Sequence, residues 1–313
     1  MRVLFAGTPE IALPSLHALS ASSHELVGVL TAPDRPSGRG RRLAPSPVKA
    51  LAIELGVPVL EPDSLRGDAR RAAAALGAEL LACFAYGKIF GPRFLELFPR
   101  GKLNVHPSLL PRHRGPAPIP GAILAGDSET GVTIQDVALE MDAGDIYAQE
   151  RIPLEGTETT AALSETAALA GAKLLVDVVD AIEAGTATTS PQDESLATYT
   201  KLVEKGDGEI DWSRPAAEIE RMVRAYTPWP RAFTSFAGER LVIHEAALPE
   251  ANWQGAATPG RVVRVDTASG ILVETGNGLL ALRKLQLQSR KPLEWRTFIN
   301  GVTDFVGTVL GGS

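Results

Sequence analysis

The sequence predicts an α/β chain with a doubly wound, mainly parallel sheet in its N-terminal part and a small β-barrel in its C-terminal part. Three observations support this fold class. Short apolar runs alternate with helical patterns in the first half, a segment rich in Thr, Ser and Pro follows, and evenly spaced short strands with Gly-rich turns fill the last third. A length of 313 residues is sufficient for two domains.

The first half of the chain alternates strand and helix patterns. We predict strands at residues 2–6, 25–30, 57–60, 80–84 and 102–105, and helices at residues 11–20, 47–55, 66–76 and 93–97. This alternation indicates βαβ units, which build a parallel sheet with helices on both faces. Later strands at 131–137 and 146–152 and a long helix at 160–183, with Gly185 as its C-cap, complete a Rossmann-like domain of residues 1–185.

The second half changes character after residue 185. Residues 186–207 have the composition of a linker. Within residues 208–313 we predict a helix at 215–225 and short strands at 233–236, 240–246, 260–265, 271–275 and 279–287. Such spacing indicates a closed or half-closed barrel. An OB-like barrel would suit a nucleic-acid-binding module, but the pattern alone does not distinguish that barrel from another.

Composition and charge exclude several classes of protein. No apolar stretch reaches the roughly 18 residues of a membrane span, and the apolar N-terminal run is too short for a signal peptide, so we expect a cytoplasmic protein. A single cysteine, Cys83, excludes a disulfide framework, and its apolar surroundings predict a buried, inert thiol. The net charge is −6, but residues 208–313 hold 12 Lys and Arg against 11 Asp and Glu, a balance of +1 that permits RNA binding without arguing for it.

The segment NVHPSLLPRHRG begins at the end of the fifth predicted strand. Asn104 and His106 are separated by one residue, so their side chains point to the same side of the sheet. Open α/β sheets bind ligands at the carboxyl ends of their strands. Pro107 and Pro111 interrupt the strand pattern at that edge. We therefore expect an amide and an imidazole in one cleft.

A second polar segment, LEMDAGDI, follows the predicted strand at 131–137. Gly144 permits a tight backbone there, and Asp142 and Asp145 flank it. A carboxylate beside a histidine holds its tautomer and raises its pKa. By itself, an Asn-x-His pair or an Asp-Gly turn is more often structural than catalytic, so the two segments matter because they occur together.

Together these segments resemble the folate-dependent formyltransferases. The resemblance implies that Asn104, His106 and Asp142 are catalytic, that Asp145 only forms the turn, and that 10-formyltetrahydrofolate is the formyl donor, with no metal. It also implies folate contacts at Ser108, Leu109, Leu110, Pro111, Tyr86 and Gly87. Two positions depart from the family pattern: Gln135 lies in a strand expected to be richer in Met, and Pro107 stands where a small residue is common.

The chemistry that the resemblance implies is acyl transfer to an amine. Attack on the formyl carbon places negative charge on the formyl oxygen, to which Asn104 can donate a hydrogen bond and protonated His106 a charged one. Asp142 would raise the basicity of His106 and help to carry the proton that the amine loses. No covalent intermediate is required, so Cys83 has no role in it.

Three features favour the branch of the family that formylates methionyl initiator tRNA for translation initiation. A Pro- and Gly-rich loop has four arginines within eight residues, and it resembles the insertion with which methionyl-tRNA formyltransferases reach their tRNA. The resemblance implies tRNA contacts at Arg35, Arg39, Arg41, Arg42 and Lys49. The C-terminal barrel resembles the tRNA-binding module of the same enzymes, and the corner Pro228-Trp229-Pro230 matches theirs and is interpreted as packing. We expect a monomer with no membrane partner.

Four alternatives remain. A formyltransferase for an amino sugar nucleotide would share the three catalytic residues and the barrel but should lack the arginine loop. A hydrolase that releases formate from the same folate is not excluded by those three residues. A non-catalytic RNA-binding protein would not need all three. A dehydrogenase is disfavoured because the Gly-x-Gly-x-x-Gly fingerprint is missing.

Overall fold

The computed structural model describes residues 1–37, 42–250 and 258–311. It divides into two compact units. The first consists of Met1–Pro118, Glu129–Pro153 and Ser164–Thr200, and the second of Ile119–Ser128, Leu154–Leu163 and Lys201–Ser313. The predicted division at residues 185 and 207 stays a prediction.

The elements follow the predicted order closely. The strands of the first unit are β1 (Arg2–Gly7), β2 (Glu25–Leu30), β3 (Arg35–Ser37), β4 (Arg42–Ala44), β5 (Val59–Leu60), β6 (Leu80–Phe84), β7 (Gly101–His106), β8 (Glu129–Asp136) and β9 (Ile146–Pro153). Those of the second unit are β10 (Ala232–Phe236), β11 (Glu239–Ala247), β12 (Val262–Asp266), β13 (Gly270–Glu274), β14 (Leu279–Leu287) and β15 (Leu293–Glu294). The helices are α1 (Leu13–Ala21), α2 (Pro47–Glu54), α3 (Asp68–Ala75), α4 (Pro92–Leu95), α5 (Pro118–Ala125), α6 (Thr160–Ala184), α7 (Ala216–Ala225) and α8 (Trp295–Asn300).

The first unit contains a seven-stranded sheet in the order β5-β2-β1-β6-β7-β8-β9. Its first five strands are parallel, which confirms the predicted α/β class. The last two run antiparallel to their neighbours, a feature that the alternation of strands and helices did not predict. Every residue of β6 is buried, as expected of a strand that helices cover on both faces. Gly185 has a φ of 70° and ends α6 as predicted.

Cys83 lies inside β6, where burial raises the pKa of its thiol to about 12. The prediction of a buried cysteine is confirmed. Because the thiolate is the reactive form, the raised pKa agrees with an inert thiol, which stays a prediction. In the described part of the chain, every helix is too short or too polar to cross a membrane.

The arginine-rich segment was expected to be a loop, and the structure corrects this in part. Its two ends, β3 and β4, pair as an antiparallel ribbon with Pro36 opposite Leu43. The predicted tRNA contacts Arg39 and Arg41 lie outside the described residues. For Arg35 and Arg42, the structure describes the backbone pairing of the ribbon.

The second unit is built on an antiparallel sheet in the order β10-β11-β14-β13-β12, with β15 added to β14. Helix α7 places Ile219, Met222 and Val223 on one face, at the spacing of a helix that packs on a sheet, and all three are buried. The small barrel-like domain predicted from the short strands is confirmed. The interpretation of the Pro-Trp-Pro corner as packing is corrected for Trp229. This residue is 57% exposed, so its side chain is not packed in the core.

Candidate active site

Strand β7 and its antiparallel partner β8 form the polar surface of the candidate site. In their register Asn104 lies opposite Gln135, and His106 lies opposite Thr133. Side chains at alternate positions share one face of a sheet, so these four polar residues lie together. His106 and Gln135 are buried. The prediction that Asn104 and His106 share one side of the sheet is consistent with this geometry.

Asp142 lies in the turn between β8 and β9 and brings a carboxylate to the same place. Its Oδ1 accepts hydrogen bonds from Gln135 Nε2 at 3.0 Å and from Asn104 Nδ2 at 3.4 Å. Its Oδ2 accepts one from the backbone N–H of Gly115 at 2.8 Å. These donors hold the carboxylate in one orientation. Because its backbone has a φ of 52°, which is uncommon for a residue with a side chain, the turn is strained.

Glycine at position 144 is required by the same turn. A Cβ atom there would lie 1.8 Å from the backbone oxygen of Asp136. The turn therefore folds back against the end of β8, and this close approach is possible only without a side chain. The backbone oxygen of Asp145 accepts a hydrogen bond from the amide of Asp136 at 2.9 Å, as expected of a residue that forms a turn.

His106 is held between a backbone oxygen and the carboxylate. Its Nε2 is 2.9 Å from the oxygen of His113, and its Nδ1 is 3.6 Å from Asp142 Oδ1. A carbonyl only accepts, so this contact assigns the ring proton to Nε2 and leaves the lone pair on Nδ1. His113 is buried and contributes to the site through its backbone oxygen.

Burial lowers the pKa of His106, and this effect exceeds the opposing influence of Asp142 and of the hydrogen bond to His113. The imidazole is therefore neutral near pH 7 before substrates bind. The expectation that a protonated His106 donates to the formyl oxygen concerns the reacting complex and stays a prediction. A neutral ring whose Nδ1 faces a carboxylate is arranged to accept a proton and to be stabilised once it holds one.

The lowered pKa of His106 makes stability depend on pH. In the window between that pKa and the ordinary value near 6.5, the unfolded chain binds a proton that the folded chain does not, so the free energy of unfolding falls as pH falls. The expected slope is up to about 1.4 kcal/mol per pH unit. Urea unfolding of the wild type and His106→Asn between pH 5 and 7.5 checks it. Equal pH slopes in the two proteins would contradict the prediction.

The Ser-Leu-Leu-Pro segment forms a tight turn directly after β7. Ser108 is fully buried, and its hydroxyl donates to the backbone oxygen of Arg112 at 2.6 Å. Thr133 Oγ1 donates to the oxygen of Ser108 at 2.7 Å and accepts from the amide of Leu110 at 3.2 Å. The peptide bond between Leu110 and Pro111 is cis. The hydroxyl of Ser108 thus maintains the turn, and the predicted folate contacts of this segment stay predictions.

Tyr86 and Gly87, also predicted to border the folate, lie after β6. Tyr86 is buried, and its ring stacks on Phe90 with the ring centroids 5.4 Å apart. Its hydroxyl has no hydrogen-bond partner among the described residues. Burial raises the pKa of that hydroxyl. The ring therefore packs in the core, while Gly87 is exposed and has a φ of 80°.

Lys49, predicted to contact tRNA, is engaged by carboxylates. Its Nζ lies 2.7 Å from Asp34 Oδ1 and 2.9 Å from Glu61 Oε2. The hydrogen bond to Asp34, followed by that to Glu61, raises the pKa of the Lys49 ammonium. Two carboxylates offset its charge, so it attracts phosphate less than an unpaired lysine would. Its contact with tRNA stays a prediction.

Sequence reasoning missed the residues that support the three catalytic candidates. Gln135 was noted only as a departure from the family pattern, although the alternation of Thr133 and Gln135 along β8 was a signal that both face the site. Arg114 and Gln192 were missed entirely. Gln192 lies in the segment predicted to be a linker, and nothing in its local sequence indicates that it reaches Asp142.

One further cluster outside the site combines donor types that bind metals. His24, Asp180 and Glu183 place an imidazole nitrogen and two carboxylate oxygens within 4.8 Å of one another. Asp180 lies 3.0 Å from Nε2 of His24, whereas Glu183 lies 3.5 Å from Nδ1. A metal ion would bind only one ring nitrogen of His24. Because the two carboxylates face opposite ring nitrogens, contacts among the three side chains explain the cluster better than a metal site does. The expectation that the reaction uses no metal stays a prediction.

Most of this chain matches two families of known protein domains. Residues 1–179 match the family described as formyl transferase, and residues 202–303 match the family described as formyl transferase, C-terminal domain. The methionyl-tRNA formyltransferase of Treponema denticola is 47% identical over 318 residues, which cover 98% of this chain and 98% of that protein. The methionyl-tRNA formyltransferase of Treponema pallidum is 48% identical over 309 residues, 96% of each chain.

Solved structures share the fold at lower identity. The structure of HypX from Aquifex aeolicus in complex with tetrahydrofolic acid has a TM-score of 0.65 at 19% identity. It covers 98% of this chain, but this chain spans only 48% of HypX. The sugar 3N-formyl transferase WlaRD has a TM-score of 0.66 at 16% identity, with 93% and 99% of the two chains covered. At such identities the similarity establishes the fold alone.

Proposed function

The chain belongs to the formyl transferase family, and we propose that Asn104, His106 and Asp142 are the residues that carry out its reaction. The reaction is transfer of a formyl group from 10-formyltetrahydrofolate to the free amino group of methionyl initiator tRNA, for translation initiation. The observation that carries the assignment is the meeting of amide, imidazole and carboxylate at the end of β7, in a chain that matches the methionyl-tRNA enzymes over nearly its whole length.

Asn104 acts on the formyl oxygen. When the amine attacks the formyl carbon, a carbon–nitrogen bond forms and the carbonyl electron pair moves to the oxygen. The 3.4 Å contact between Asn104 Nδ2 and Asp142 is long for a hydrogen bond, so the amide can turn its donor to a developing oxyanion. This donor stabilises the charge at the point where it appears.

His106 and Asp142 move the proton. The attacking amine must lose a proton, and the lone pair on His106 Nδ1 accepts it. Asp142, 3.6 Å away, stabilises the resulting imidazolium. The ring returns the proton to the folate nitrogen as its bond to the formyl carbon breaks, so the imidazole is neutral again at the end of the cycle.

We assign the remaining roles by region. Residues 1–185 bind the folate, with contacts from Tyr86, Gly87 and the segment 108–111. Residues 208–313 and the arginine loop bind the tRNA, and residues 186–207 connect the two. The two family matches, at residues 1–179 and 202–303, support this division. Because charged initiator tRNA is used in the cytoplasm, we also place the enzyme there, acting as a monomer without a membrane partner.

Replacing Arg39 and Arg41 by glutamine is expected to raise the KM for methionyl-tRNA by about tenfold and leave the KM for folate unchanged. The reason is the loss of charge opposite phosphates, which also lowers the salt dependence of tRNA binding by about one unit of slope per lost contact. Transfer of labelled formyl, measured at several salt concentrations, gives both values.

The matched control for this loop variant is Arg66→Gln combined with Arg71→Gln, which removes the same charge from exposed positions near α3. An equal effect of both double variants would show that total charge, and not the loop, sets tRNA affinity. If the wild type consumes the folate but leaves the tRNA unformylated, the acceptor is wrong, and amino sugars or water become the candidates.

A further inference from the structure

Residues 190–200, here called the strap, are hydrogen-bonded to the loops on both sides of the catalytic cluster. Ser190 pairs with Ile146 through backbone contacts of 2.8 and 3.0 Å. At the other end, Arg114 donates its amide to the oxygen of Thr198 at 2.8 Å and accepts from the amide of Thr200 at 2.7 Å. The strap therefore joins the segment after β7, which carries Arg114, to the start of β9, directly after the Asp142 turn.

Gln192 makes the central connection of the strap. Its Nε2 donates to the backbone oxygens of Asp142 at 2.8 Å and Gly144 at 2.7 Å, and it also lies 3.3 Å from Gln135 Oε1. Its Oε1 accepts from Arg114 Nη2 at 2.8 Å and Nε at 3.1 Å. An amide has two N–H donors and two acceptor lone pairs, so all of them are used. The reverse orientation would set the oxygen against two carbonyls, so the side chain has one orientation.

Arg114 fixes the position of Gln192 by donating to its side-chain oxygen. It is buried, with only 1% of its surface exposed. Besides Gln192, its guanidinium donates to both carboxylate oxygens of Glu194, at 2.6 and 2.9 Å, and to the hydroxyl of Tyr199 at 3.0 Å. All five of its N–H groups thus have acceptors, which fixes its position. The next residue, Gly115, donates its amide to Asp142 Oδ2.

We propose that Gln192 is a positioning residue for formyl transfer: together with Arg114 it holds the Asp142–Gly144 turn so that the Asp142 carboxylate stays opposite His106. The backbone of Asp142 needs such restraint because its φ of 52° is unfavourable for a residue with a side chain. Gln192 restrains the carbonyls at both ends of the turn, and Gly115 restrains the carboxylate. The kinetic consequences of this inference rest on the proposed function.

The test compares Gln192→Ala with Gln192→Glu. A glutamate keeps an acceptor for Arg114, but it cannot donate to the carbonyls of Asp142 and Gly144 and sets an oxygen against them instead. We expect both variants to lower kcat by about 10- to 100-fold, with the KM for methionyl-tRNA unchanged. We expect both variants to melt at a lower temperature than the wild type, so kcat is compared at a temperature at which circular dichroism shows each variant to be folded. A merely structural role would instead lower the melting temperature and leave the kcat of the folded enzyme and the pKa of His106 unchanged.

A second measurement does not depend on which molecule accepts the formyl group. His106 is faced by Asp142, which raises its pKa, and by His113, which lowers it. If the turn moves away in the variants, the pKa of His106 falls further, and titration of the ring by NMR in the folded protein measures it. The control is Asp193→Ala, since Asp193 lies next to Gln192 but directs its side chain to Ser195, at 2.7 Å from the hydroxyl. We expect this control to keep kcat within about twofold.

Three results would overturn the proposal: a wild-type kcat for Gln192→Glu, an unchanged pKa of His106 in both Gln192 variants, or an equal loss of kcat in Asp193→Ala. Failure of the proposed function is distinguishable from these results. In that case the wild type itself would transfer no formyl group to methionyl-tRNA, while the titration of His106 would still report whether Gln192 holds the turn.

Discussion

The His106→Asn variant is expected to transfer formyl groups about 10²- to 10⁴-fold more slowly than the wild type. The wild-type ring presents a lone pair on Nδ1 beside the Asp142 carboxylate, and its Nε2 is fixed by the oxygen of His113. Asparagine can keep a hydrogen bond in this buried position, but it cannot accept a proton near pH 7. The loss should fall on kcat more than on either KM, because the proton moves only as the transition state forms.

The rate of the wild type should also fall with decreasing pH as His106 becomes protonated. Since burial lowers the pKa of His106, this fall should begin below the ordinary value near 6.5. The pH dependence of kcat/KM checks this, because it reports groups of the free enzyme. A His106→Asn variant that keeps a tenth or more of the wild-type kcat would exclude His106 as the proton acceptor.

Removing the amide of Asn104 is the second large change, and Asn104→Ala is expected to lower kcat by about 10²- to 10³-fold. A single donor to an oxyanion acts where charge develops, so its loss raises the barrier without weakening the binding of substrates. The KM values for folate and tRNA should therefore change little. Steady-state kinetics with both substrates varied measures the three quantities.

A buried polar residue on the neighbouring strand supplies the control for Asn104→Ala. Thr130 lies on β8, and its buried hydroxyl has no hydrogen-bond partner among the described residues. Thr130→Val removes that hydroxyl at nearly constant volume, so kcat should stay at the wild-type value. If Asn104→Ala raised the KM for folate and left kcat intact, its amide would serve binding and not the transition state.

Much of the fold could be predicted from the sequence because its signals are local. The predicted strands at 25–30, 80–84 and 279–287 agree with β2, β6 and β14 at both ends, since apolar residues in runs or at alternate positions define them. Shorter elements were less well bounded: the strand predicted at 57–60 is only Val59–Leu60. The antiparallel direction of β8 was not predictable from its residues, because its apolar pattern suits either direction.

The candidate site, like the fold, could be predicted from the sequence only in part. Asn104 and His106 could be paired from sequence, since residues at i and i+2 of a strand share a face whatever the rest of the fold does. Their contact with Asp142 depended on family resemblance, and the geometry of the turn required the structure. The lowered pKa of His106 in the free protein was not predictable from the sequence, because the extent of burial that causes it is a property of the packed domain.

The sequence alone thus determined the class of fold, the order of nearly all elements and the three side chains proposed for catalysis, because alternation, strand periodicity and short motifs are properties of neighbouring residues. Only the tertiary structure decided what holds those side chains in place. Gln192 reaches the Asp142 oxygen across 50 positions and accepts from Arg114 across 78. Such contacts leave no local pattern, because the residues that make them become neighbours only after the chain has folded.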